Sequence, residues 1–392
     1  MTQSFGINRF TRYLAMVVLI ALTSLAAMYS ACNRAATLPE NAQTELVYVG
    51  TQKSQIHALR LDVSTGKLTT IGTVAQGPKS TWVAAHPQLP MLYAVDDDNA
   101  REGSVTAYGV DRTTGALTKV NTVASGGNGT TYLSFDLPSM TLLAANYSSG
   151  SVSSIAVNHD ASLGSLVSTI TETGSGPNRR QASAHAHSAT VDPSGRYALV
   201  PDLGADRVFV YGFDRATHAL SPDDGNSPWS FVAAPGSGPR HIAFGSNGQF
   251  VYLLTELSAE ITVLRWDASQ GRLTLVQSLP ITSQAFQGAK SGADLALSHD
   301  GRFMYVENRG ENEFVVYRVS HESGELSLVQ RIPSGGERPW GFAIDPSGKW
   351  LLAANQQSGS VNLFSIDAAS GMLSDTGQSA AISAPVSVAF VR

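Results

Sequence analysis

RPWGFAIDPSGKWLLAANQQSGSVNLFSID, residues 338–367, contains the repeating unit of the chain in a single copy. An apolar segment runs into the turn IDPSG at 344–348. A second apolar run, KWLLAAN, stops at the short polar Asn355. A third, VNLFSID, alternates apolar and polar positions as far as Asp367. Period-two alternation is the pattern of a strand with one face packed against a neighbour.

The same three phrases recur in order on either side of this copy. The turn phrase returns as AAHPQLP at 84–90, VDPSG at 191–195, FGSNG at 244–248 and LSHDG at 297–301. The second phrase ends at Asp96, Asn146, Asp202 and Asn308, and the third reads VTAYGVD to Asp111, VFVYGFD to Asp214 and ITVLRWD to Asp267. Aligned on the last residue of the third phrase, the copies end at Asp62, Asp111, Asn158, Asp214, Asp267, Ser320 and Asp367, with spacings of 49, 47, 56, 53, 53 and 47 residues. Seven copies at this period, rich in β-branched and aromatic residues, predict an all-β fold: a seven-bladed β-propeller with four antiparallel strands per blade. No stretch shows helical periodicity.

The two ends predict how the ring closes. ELVYVGT at 45–51 resembles a second strand with no first strand before it, and PVSVAFV at 385–391 a first strand with no second after it. Pairing them completes the seventh blade and removes the edges an open array would expose.

The 392 residues carry a formal charge of −5, with 43% hydrophobic and 15% charged residues and 36 glycines. An acidic chain has no basic footprint for nucleic acid. The N-terminus reads as an export signal: Arg9 and Arg12, then an apolar run from Leu14 to Met28 that ends in small residues. The single cysteine, Cys32, follows Ser30 and Ala31 and is similar to a bacterial lipoprotein box, although Tyr29 stands where an aliphatic residue is usual. The expectation is a signal over 1–32 with lipidation at Cys32, a polar tether over 33–44 and the propeller over 45–392. Soluble release and a retained anchor are the alternatives, because about 18 apolar residues can span a bilayer. Localisation follows as the periplasm or outer cell envelope, and without a second cysteine there is no intramolecular disulfide.

Blade symmetry also selects a site. In an antiparallel blade the start of strand one and the end of strand two lie at the same end, so residues there encircle one mouth of the central channel. Structural demands repeat from blade to blade, whereas chemistry at one spot need not. At the first position the blades carry Thr81, Thr131, His187, Arg240, Ala293 and Trp340; at the second, Asp97, Tyr147, Leu203, Glu256, Arg309 and Gln356. His187, Arg240, Glu256 and Arg309 come from adjacent blades and are predicted to converge. Arg179, Arg180 and Arg338 are placed near the same mouth, and that local concentration of guanidiniums in an acidic chain points to an anion. A lone propeller His is more often a core or turn hydrogen-bonder, and a mouth arginine is usually solvated. His185 and His187 share a spacing that could suit a metal, but no acidic third ligand accompanies them, so neither metal nor cofactor is expected. GSGPNRR at 174–180 and GSGPR at 236–240 precede no helix and are not P-loops.

These residues carry a family resemblance over 45–391. YVGT at 48–51, RQASAHAHS at 180–188, GPRHIAF at 238–244, TEL at 255–257, ENRG at 307–310 and RPWGFAIDPSG at 338–348 together resemble the seven-bladed propeller lactonases. That family includes 6-phosphogluconolactonase and a carboxymuconate-lactonising cycloisomerase. Ala184 replaces the family's usual proline and Thr255 its more common Asn. The resemblance implies catalytic roles for His187, Arg240, Glu256 and Arg309. His185, Arg180, Arg338, Gln356 and Asp294 are the expected substrate-binding residues. It implies a hydrolase for a sugar-derived or anionic lactone, with His187 as general base, Glu256 assisting it and the arginines holding the oxyanion or a substrate anion; nothing in the sequence demands an oligomer, and a monomer is expected. The alternative is a non-catalytic envelope propeller that binds a small anion, a glycan or a protein. Export argues against the cytosolic pentose-phosphate reaction.

Overall fold

The computed structural model describes residues 44–77, 79–222 and 229–391, and Thr44–Arg392 form one compact unit. Cys32, the export signal and the tether lie outside the described residues. Seven antiparallel sheets follow one another along the chain. The first six blades span residues 83–128, 130–171, 190–232, 239–280, 292–333 and 339–381.

The seventh blade closes the ring. Its inner strand, Pro385–Val391, pairs with Thr44–Thr51, with Tyr48 opposite Ala389 and Val49 opposite Val388. Both orphan strands thus find the partner their sequences lacked, and the chain ends pair within one sheet. The only other regular element among the described residues is a short 3-10 turn at Leu137–Ser139.

Each core cluster is shared between neighbouring blades. Met91, Tyr93 and Val105 of the first blade pack on Leu142, Ala144 and Ile155 of the second, for example. A repeated hydrogen bond pins these interfaces. The hydroxyl of a second-strand tyrosine donates to a backbone carbonyl in the outer turn of the next blade: Tyr48 to Gly115, Tyr93 to Ala161, Tyr252 to Gly324 and Tyr305 to Gly371, at 2.9–3.0 Å. Each buries an aromatic ring while satisfying its polar end, a net gain of about 1 kcal/mol for the bond alone. The DPSG-type turns need left-handed backbone at their glycine, and Gly195, Gly248, Gly301 and Gly348 have φ of 74°, 67°, 71° and 73°.

One irregularity positions the site. The inner strands of the second, fourth, fifth and sixth blades all break register near their starts, at Thr130/Tyr132, Pro239/His241, Gly292/Leu295 and Pro339/Gly341. A bulge re-aims side chains that strict alternation would send to opposite faces. In the third blade the inner strand shrinks to Thr190–Val191, and Ala186 keeps a single bridge to Asp202.

Candidate active site

Glu256 follows directly on the second strand of the fourth blade, Phe250–Thr255. Its carboxylate is where the predicted residues meet. Arg240, from the inner strand of the same blade, places Nε 3.0 Å from Oε2, and Arg309, just past the second strand of the fifth blade, places Nη2 2.9 Å from Oε1. Arg180 adds Nη1 at 2.5 Å from Oε1 and reaches the Tyr147 hydroxyl at 3.1 Å. His187 brings Nε2 to 3.6 Å from Oε2, close but longer than a hydrogen bond. His187, Arg240, Glu256 and Arg309 are all buried, whereas the Arg180 side chain stays 42% exposed at the rim.

The electrostatics follow from this packing. Burial alone would raise the Glu256 carboxyl, but Arg309, the His187 contact and Arg240 outweigh it and hold it well below the usual range. Burial, then the charge of Arg240, pushes His187 down to about 3, so its imidazole is neutral at physiological pH. Burial also lowers Arg309 to about 10, with Glu256 pulling the other way. Three guanidiniums face one carboxylate here, which leaves the cluster positive and suited to an anion or to a carbonyl oxygen gaining charge.

The other predicted residues spread around the same mouth. His185 stacks on Tyr147 with ring centroids 4.5 Å apart, and its Nδ1 lies 2.8 Å from the Tyr147 carbonyl. Arg338 lies 6.0 Å from the Trp340 ring, against which the Arg309 guanidinium packs at 4.4 Å. Gln356 donates from Nε2 to the Gln52 side chain at 2.9 Å, between the sixth and closing blades, with no bond to the Glu256 cluster. Arg179 is exposed and joins no ion pair with it.

Asp294 points elsewhere, to a residue the sequence did not single out. Its Oδ1 lies 2.7 Å from His241 Nδ1. The His241 ring is buried beside those of His187, Tyr132 and Trp82, at 5.2, 5.0 and 5.4 Å. Glu307 was missed too. It is fully buried, and neither carboxylate oxygen has a partner among the described residues. Burial first, then the charge of Asp294, raises it well above the usual range, against Arg240 and Arg309. His241 directly follows Arg240, and alternation assigns the two to opposite faces; the register breaks between Pro239 and His241, and no feature of the sequence marks that break. Among the described residues, no group of three or more His, Cys, Asp or Glu is arranged to hold a metal ion.

The family model described as "Lactonase, 7-bladed beta-propeller" matches residues 46–390. The chain is 32% identical over 349 residues to the 6-phosphogluconolactonase of Bacillus subtilis, covering 88% of this chain and 98% of that one. It is 30% identical over 333 residues to a 6-phosphogluconolactonase of Serratia proteamaculans, covering 84% and 93%. Among solved structures it is similar to the periplasmic gluconolactonase PpgL of Pseudomonas aeruginosa, with a TM-score of 0.83 and 33% identity over 89% of this chain and 99% of that one.

Proposed function

The chain belongs to the seven-bladed β-propeller lactonase family, and from that premise we propose that it is a lactone hydrolase working at the Glu256 mouth. The observation that carries the reading is the meeting of three guanidiniums, one carboxylate and a neutral imidazole at a single opening. Opening a lactone requires water to lose a proton, the carbonyl oxygen to hold negative charge and the ring oxygen to gain a proton. Arg240 and Arg309 hold the developing oxyanion or a carboxylate or phosphate on the substrate. Glu256 keeps the guanidiniums aimed, since each of its oxygens is engaged. A neutral imidazole of this cluster takes the water proton; the family resemblance points first to His187, which is neutral at physiological pH. Arg180, partly exposed and paired to Glu256 at the rim, would meet an incoming anion first, with Tyr147 bonded to it, His185 stacked on Tyr147, and Arg338 near Trp340.

The natural substrate in this reading is an extracytoplasmic lactone. Arg9, Arg12 and the apolar run support export, as does the similarity to a periplasmic relative, and Cys32 is the candidate lipid site. Cys32→Ala releasing the protein from membranes would support the anchor; unchanged membrane association would remove it.

The test is turnover of a panel of sugar lactones in a pH-stat, comparing the wild type with His187→Ala and Arg240→Ala. Arg240→Ala is expected to lose roughly 10²–10³-fold in kcat/KM, the usual effect of removing an oxyanion donor. A wild type no faster than spontaneous hydrolysis would leave a propeller that only binds anions. Active variants would take these residues out of the mechanism.

A further inference from the structure

Of the two buried imidazoles packed ring to ring beside the Glu256 cluster, His187 and His241, only one is held by a carboxylate within hydrogen-bond distance. A general base is recognised by a second group that fixes its tautomer and aims its lone pair. His187 has no such partner: its Nδ1 is buried with none among the described residues, and its Nε2 stands 3.6 Å from Glu256. His241 has one. Its Nδ1 lies 2.7 Å from Asp294 Oδ1, which also accepts the backbone N–H of Leu295 at 2.8 Å.

Arg240 completes the assignment. Its Nη1 sits 3.3 Å from both ring nitrogens of His241 and also donates to the Ala293 carbonyl. A guanidinium can only donate, and the Nδ1 proton is committed to Asp294. In the neutral ring the free lone pair then lies on Nε2. Nε2 thus lies 3.3 Å from the guanidinium assigned to the oxyanion, and the ring is neighboured by Trp82, Tyr132 and His187.

We propose that His241, oriented by Asp294, is the proton carrier of the hydrolysis and that His187 shapes the pocket around it. The proposal rests on the lactonase reading and deepens it, giving the proton-carrying role to His241 in place of the neighbouring His187 ring. Water attacks the carbonyl carbon while its proton passes to His241 Nε2, and the carbonyl π electrons move onto oxygen beside Arg240 and Arg309. When the tetrahedral centre collapses, the bond to the ring oxygen breaks and that oxygen takes the same proton back from Nε2. Asp294 keeps the Nδ1 proton throughout, and the product is the open-chain hydroxy acid. The charged and titratable groups around His241 are Asp294 from the fifth blade, Arg240 and Glu256 from its own, His187 from the third and Tyr132 from the second.

The test measures initial rates from pH 5 to 9 on whichever panel lactone the wild type opens fastest, for variants whose melting matches the wild type. His241→Gln is expected to lower kcat by roughly 100-fold or more with KM within about threefold, a deeper loss of kcat than His187→Gln gives. Asp294→Asn should lower kcat and move its acidic limb to lower pH, because the carboxylate that favours the imidazolium is gone. His241→Gln at near wild-type kcat, or a deeper loss in His187→Gln, overturns the assignment. Should His241→Gln fail to fold, an acidic limb that stays in place in Asp294→Asn overturns it instead. An active wild type with an active His241→Gln removes only this carrier, whereas an inactive wild type removes the lactonase reading and the carrier with it.

Discussion

The same inner strands build both ends of the channel, and the two ends could hardly differ more. At the end where these strands start, Arg240, Glu256, Arg309, His187 and the Asp294–His241 pair are buried in one charged cluster. At the end where they finish, a cavity of about 460 Å³ is lined by Val83, Ala85, Leu133, Ile344, Val388 and Phe390 among others. The polar work at that end goes into turns: Asp345 accepts from the backbone of Ser347 at 3.0 Å and Trp350 at 2.6 Å, and Asp192 from Ser194, Arg196 and Tyr197 at 2.9–3.2 Å. One end repeats because every blade must turn there. The other diverges because one chemistry sits off-centre, and the fold tolerates its buried charge only where partners meet it.

That contrast can be broken most sharply at Glu256. Glu256→Ala leaves buried guanidiniums unopposed; it is expected to lower stability by about 3–5 kcal/mol and kcat/KM by roughly 100-fold or more. Urea unfolding and pH-stat rates check this, and unchanged stability would show that the charged end does not depend on its central carboxylate.

Acid should act on the same end. The folded pKa of His187, about 3, lies below its ordinary 6.5, so the unfolded chain takes up the proton first. Its contribution is complete above 6.5 and is lost as pH falls towards 3. His187→Gln should therefore lose less stability than the wild type between those limits, and parallel melting curves would contradict the shift.

A change at the other end should separate stability from activity. Asp345→Ala removes a fully buried turn acceptor and is expected to cost about 1–3 kcal/mol while leaving kcat/KM within about twofold. A large loss of activity would mean that the two ends are coupled.

The smallest effect is expected at Glu307. Its raised pKa favours the protonated form, so its contribution is complete below about 4.5 and is lost as pH rises towards the folded value. Glu307→Gln keeps the shape without the charge and should stabilise at pH 8, with little change at pH 4. Equal melting at pH 8 would deny that burial strains this carboxyl.

Reading the sequence went furthest where demands repeat. The turn glycines, the alternating third strands and the two orphan strands at the ends specify blades and closure, because each copy states the same local requirement. Arg240, Glu256, Arg309 and His187 were also legible, as departures from neighbouring copies at equivalent positions. Glu307 was not, since at its place in the second strand nothing marks a carboxyl that will face another blade without a partner. Arg180 was placed at the mouth, but its bond to Glu256 spans 76 positions of sequence and depends on how the third blade meets the fourth.

By itself, the sequence determined the period, the number of blades, the strand that seals the ring and the mouth at which unusual residues gather, because these follow from local pattern and count. Only the tertiary structure decided which imidazole receives an orienting carboxylate. A one-residue bulge at the start of an inner strand turns His241 towards the fifth blade, and Asp294 reaches it there from 53 positions away. Alternation along a strand cannot express that pairing, because it arises where two blades touch.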